Sequence, residues 1–113
     1  MQENKLSHRL FLPTLNGLEF IDKEMVVRCE SDSNYTTVFF KQNDKIVISK
    51  TLKEFEHLLP EQHFFRVHHS HIINLLYVQK YVRGDGGHLV LENGNIIPVS
   101  RAKKPLLLDC LQQ

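Results

Sequence analysis

With 113 residues, a formal net charge of +1, and 42% hydrophobic against 24% charged residues, the chain fits one soluble domain large enough to bury its own core. No apolar run approaches the ~20 residues of a membrane span, and the polar start "MQENKLSHR" lacks a signal-peptide pattern, so the chain reads as cytoplasmic. The isolated Cys29 and Cys110 form no CxxC motif and are expected as reduced, buried thiols rather than a disulfide.

Short apolar and β-branched runs broken by turn dipeptides predict a mostly β fold of hairpins. In chain order these are "RLFLPTL" before Asn16-Gly17, then "GLEFI", "MVVRC", "YTTVFF" before Asn43-Asp44, and "KIVIS". A helix is expected over 51–59. Thr51 and Glu54 form a capping box, Leu52, Phe55, Leu58 and Leu59 share one helical face, and Pro60 stops the run. Strand grammar resumes with "FFRV", "HIINLLYVQKYV", the loop "GDGG", "HLVLE", the turn Asn93-Gly94 and "NIIPV". A short C-terminal helix follows in "SRAKKPLLLDCL", with Ser100 as its N-cap and Pro105 in an early turn.

Charge is unevenly spread. Residues 1–60 hold eight Lys/Arg and nine Asp/Glu, residues 61–113 six and four, and five of the seven histidines lie in the second part. The imbalance favours an anionic partner weakly.

Three of those histidines crowd into "FRVHHSHIIN". Read as one strand, the stretch puts Val67, His69, His71 and Ile73 on one face and Arg66, His68, Ser70 and Ile72 on the other. Only His69 and His71 could then share a metal ion, and a structural zinc site needs four ligands. Cys29, Glu30 and His88 are the remaining candidates, and no spacing supports them. Ser70 sits in no nucleophile elbow, and "RGDGGH" lacks the P-loop lysine. No enzyme, metal or cofactor is therefore expected, and His68 reads as a hydrogen-bonded structural residue.

Polar side chains with Lys and Arg cluster at expected strand ends, in "SDSNYT", "SK", "HHS" and "SRAKK". Those groups suit phosphate positioning and base-edge reading. On composition alone, a DNA-binding module and a generic protein–protein interaction module stand level.

The strings "FFRVHHSHIINLLYVQKY" and "LVLENGNIIPVSRAKK", with "CESDSNYTTVFF" and "SKTLKEFEHLLP" before them, resemble the LytTR family of DNA-binding domains over roughly residues 10–112. The resemblance implies short antiparallel sheets with a small helix, and a LytTR domain at 10–113 behind a tail or linker remnant at 1–9. It also implies duplex DNA binding by a transcriptional regulator, often as two copies on direct repeats, with strand-end loops in the major groove. Carried over by position, base contacts fall on Thr36, His69 and Arg101. Backbone contacts are expected from Asn34, Tyr35, Lys50, Arg66, Ser70, Lys103 and Lys104. A histidine at 69 departs from the Lys, Arg or Asn common in relatives and leaves the preferred base and the charge of that contact open. Such domains usually follow a phosphorylated receiver domain, for which this chain has no room, so an excised effector domain is expected. Asn74 reads as structural.

Overall fold

The computed structural model describes residues 9–42, 44–84 and 86–112. In chain order these form β1 (Arg9–Thr14), β2 (Gly17–Asp22), β3 (Val26–Asp32), β4 (Tyr35–Phe40), β5 (Lys45–Ile48), α1 (Leu52–Glu56), β6 (Phe64–His68), β7 (His71–Asn74), β8 (Val78–Val82), β9 (His88–Leu91), β10 (Ile96–Pro98) and α2 (Lys104–Leu111). The fold is mostly β, as expected. Of the tail expected at 1–9, only Arg9 is described, and it opens β1. Asn43 and Asp85, within two expected turns, lie outside the described residues.

Among the described residues all pairings are antiparallel, in a seven-stranded sheet of order β2-β1-β5-β4-β3-β7-β6 and a three-stranded sheet of order β10-β9-β8. Two cores follow from which strands are covered on one face and which on both. One face of the large sheet packs Leu12, Ile21, Val38, Ile48 and Ile72 against Leu52, Phe55 and Leu59 from α1 and its C-terminal side. The other face, at the β3-β7-β6 end, packs Val27, Val67 and Ile73 against Leu89, Leu91, Ile97 and the α2 residue Leu107. Neighbours Ile72 and Ile73 therefore point into different cores, which is why two apolar residues stand side by side in "HIIN" where a one-faced strand would alternate.

The capping box is present: Glu54 N–H donates to Thr51 Oγ1 at 3.2 Å, and Thr51 N–H to the Glu54 carboxylate at 2.9 Å. The helix ends at Glu56, however, and Leu58 is 42% exposed rather than part of the apolar face. The chain turns there in a tighter coil, with Leu58 N–H donating to the Phe55 carbonyl, because Pro60 disfavours helical backbone at the residue before it. At the second helix Ser100 is not the N-cap. Lys103 holds that position, with Pro105 in the first turn, and Lys103 N–H donates to the Ser100 carbonyl.

The expected strand "HIINLLYVQKYV" is broken by a 3₁₀ turn at Leu75–Tyr77. Asn74, 1% exposed, causes the break: its carboxamide oxygen accepts from Leu76 N–H at 3.0 Å while its nitrogen donates to the Val26 carbonyl at 2.9 Å. That is the structural role expected of it. Cys29 is fully buried, and burial pushes its thiol far above the ordinary range, making it inert. Cys110 is exposed, contrary to expectation, on the solvent side of α2. The outer face of the first hairpin is also exposed, with Phe11 and Phe20 in edge-to-face contact at 4.6 Å.

Candidate nucleic-acid interface

Antiparallel neighbours run in opposite directions, so the end of β5, the start of β4, the end of β3, the start of β7 and the end of β6 meet at one edge of the large sheet. Three hydrogen bonds tie the loops there. Thr36 Oγ1 donates to the Lys50 carbonyl at 2.8 Å, Ser31 N–H donates to the Ser70 carbonyl at 3.0 Å, and Ser100 N–H donates to the Val67 carbonyl at 2.8 Å. In spatial order the edge carries Lys50, the Ser33–Asn34 turn with Tyr35, the His69–Ser70 turn, and the segment from Ser100 to Lys104. These are the four polar clusters that the sequence separates by more than half its length.

His69 and Arg101 are both exposed on this edge. Asn34 and Tyr35 are exposed as well, beside Ser33, whose φ of 56° makes the tight turn between β3 and β4. Lys50, Ser70, Lys103 and Lys104 are half-buried. The Lys104 stem passes over Gly87, a buried glycine with φ of +54°, where a Cβ would overlap the Tyr81 hydroxyl and come within 3.3 Å of Lys104 Cε.

Two expected contact residues are differently placed. Thr36 has 0% exposure and its hydroxyl is spent on Lys50, so it ties β4 to the β5–α1 link and has no surface to offer a base. Arg66 is only 16% exposed along its side chain. Its guanidinium donates to the His68 carbonyl at 3.3 Å, the His69 carbonyl at 2.6 Å and the Glu56 carboxylate at 2.9 Å.

The histidine stretch is not one strand. A two-residue turn at His69–Ser70 reverses the chain, placing His68 opposite His71 with ring centroids 5.4 Å apart. His69 and His71 therefore do not share a strand face. His68 Nδ1 accepts from Ser70 N–H at 3.1 Å, the structural bond expected of it. His71 Nδ1 is buried without a hydrogen bond, 3.8 Å from Glu30 Oε1. Burial pushes the His71 pKa below the usual imidazole range; Glu30 opposes this, and His68 and Arg28 add to it.

Sequence reasoning missed the supports behind the edge. Arg28 donates to Glu30 at 2.7 Å and to Asn95 of the β9–β10 turn at 3.3 Å, with its guanidinium 3.8 Å over the Phe39 ring. An arginine amid the apolar "MVVRC" was the one available signal, since a buried cation requires a partner. Among the described residues, no three His, Cys, Asp or Glu side chains come together as a metal-ligand set.

The family model for the LytTr DNA-binding domain matches residues 16–112. The chain is 30% identical over 99 residues to the heme-containing CO-sensing transcriptional regulator RcoM 1 of Paraburkholderia xenovorans, covering 85% of this chain and 37% of that protein. It is 33% identical over 88 residues to the CO-responsive transcriptional regulator RcoM of Rhodospirillum rubrum, covering 75% and 37%. The chain thus spans little more than a third of these relatives. The solved LytTr DNA-binding domain of a response regulator from Bacillus cereus superposes with a TM-score of 0.78 at 25% identity, over 92% of this chain and 96% of that one. This chain belongs to the LytTr DNA-binding domain family.

Proposed function

We propose that the domain binds duplex DNA sequence-specifically as the output module of a cytoplasmic transcriptional regulator, with the β5-to-β6 edge seated on the major groove. The observation that carries this reading is the hydrogen-bonded alignment of the four polar segments along one edge. Four inter-strand steps of ~4.8 Å make that edge roughly 19 Å long, enough to fill a ~12 Å major groove and reach phosphates on both rims.

Arg101 and His69 are the base readers. A guanidinium can donate two parallel bonds to guanine O6 and N7, and an exposed imidazole can donate or accept one. Asn34, Tyr35, Lys50, Ser70, Lys103 and Lys104 grip the backbone, where short donors and ammonium groups position the protein without reading sequence. Thr36 and Arg66 support the loops from behind. Two copies would occupy direct repeats, and in a longer protein an input domain of receiver type would control them. The RcoM relatives, regulators that by name sense or respond to CO, fit the same output role.

Selection of random duplex DNA on the purified domain tests the reading. Enrichment of a short motif, lost with Arg101→Ala, supports it; no enrichment, with weak binding insensitive to that change, refutes it.

A further inference from the structure

We infer that Arg66 and Glu56 form a brace that positions the His69–Ser70 reading turn, and that Arg66 acts through this turn rather than by touching DNA. The inference rests on the DNA-binding reading above and assigns residues that set its specificity.

A two-residue turn at the end of a sheet leaves carbonyls outside the strand ladder, and such groups need partners when water is displaced from around them. Here the Ser70 carbonyl accepts from Ser31 N–H, and one planar side chain holds the His69 carbonyl together with that of His68 at the end of β6. Arg66 Nε donates to the His68 carbonyl and Nη2 to the His69 carbonyl at 2.6 Å. These are consecutive peptide groups, and holding both fixes the direction in which the His69 side chain leaves the backbone. The third nitrogen, Nη1, donates to Glu56 at 2.9 Å, which locks the rotation of the guanidinium itself. Glu56 is the last residue of α1, a helix capped by Thr51 and anchored by fully buried Phe55. The turn is thus referenced, through two side chains, to a rigid part of the core.

Electrostatics separates this role from the alternatives. An acid near a DNA face weakens binding by repulsion, so removing a Glu56 without a positioning role would tighten binding to every duplex. A phosphate-gripping Arg66 would release a counterion, and losing it would flatten the salt dependence. The loss of a brace instead lowers the preference for the right sequence, over and above any change that the removed charge makes to all duplexes alike.

The test uses Glu56→Gln, which keeps shape but leaves Arg66 only a neutral, weaker acceptor, and Arg66→Lys, which keeps charge but cannot span three acceptors. Affinities for the enriched duplex and a scrambled duplex of equal length are measured across salt, and amide hydrogen exchange at His69 and Ser70 is followed in the free protein. The expected result is about a tenfold loss of preference for the enriched over the scrambled duplex in both variants, with scrambled affinity and salt slope unchanged in Arg66→Lys and faster exchange confined to the turn. Glu56→Gln binding tightened equally on both duplexes, equal losses on both duplexes, or a slope reduced by ~0.9 in an Arg66→Met variant overturns the brace. Unchanged exchange overturns it whatever the DNA result. A wild type that discriminates no duplex, with exchange at the turn still accelerated in the variants, instead overturns the DNA reading and removes what the brace serves.

Discussion

Ser100 N–H donates to the Val67 carbonyl at 2.8 Å, joining the segment after β10 to the end of β6. Arg101 is thereby set one residue from the bond and His69 two residues from its other end, so two exposed side chains from different sheets share one edge. Arg101→Ala should cost about 1–3 kcal/mol at its base pair and relax preference there. Competition titrations with single-base variants of the enriched duplex check this; an unchanged preference would assign the reading elsewhere.

The lysines at the same edge should behave differently. Lys50→Ala and Lys103→Ala should weaken enriched and scrambled duplexes alike, each reducing the slope of log K against log salt by ~0.9. Loss confined to the enriched duplex would make them base readers instead.

Thr36 predicts a stability effect without a specificity effect. Thr36→Val keeps the shape but strips the partly buried Lys50 carbonyl of its 2.8 Å donor, and the cost of about 1–3 kcal/mol for a fully buried unsatisfied group is its upper bound. Urea unfolding should register that loss while base preference stays as in the wild type.

That contrast marks what the sequence could and could not disclose. The hairpins and the Thr51–Glu54 capping box are local signals, and both are present. The turn at His69–Ser70 was hidden because it lacks the Gly, Asn or Pro that usually marks one. Thr36 lies beneath the surface because β4 is an interior strand whose face is covered by α1, a fact of tertiary packing. Arg66 meets Glu56 across ten residues and a change of element, for which no periodicity gives a sign. Its basic charge in a DNA-binding motif suggested phosphate contact, whereas the geometry turns it inward.

His71 predicts a pH effect of definite sign. Burial holds its folded pKa below the unfolded value of about 6.5, so the unfolded chain binds more protons between those two values. Its contribution is fully present above pH ~6.5 and is lost as pH falls through that window. The groups facing it are Glu30, which opposes the shift, and His68 and Arg28, which reinforce it. Urea unfolding of wild type and His71→Gln from pH 7.5 to 5.5 should show the steeper decline in the wild type; parallel curves would remove the effect.

Gly87→Ala should be destabilising by about 1–3 kcal/mol, combining a side chain at positive φ with overlap on the Tyr81 hydroxyl. It should also disturb the Lys104 stem that crosses it. Thermal unfolding reads the first effect and nonspecific DNA affinity the second; a wild-type Tm would contradict the packing described.

The most direct test of the central claim is amide chemical-shift mapping of the domain titrated with its enriched duplex. The account predicts perturbations concentrated at 31–36, 49–50, 68–70 and 100–104, the four segments joined along the β5-to-β6 edge. Perturbations centred instead on the exposed Phe11 and Phe20 face of the first hairpin, with that edge silent, would contradict it.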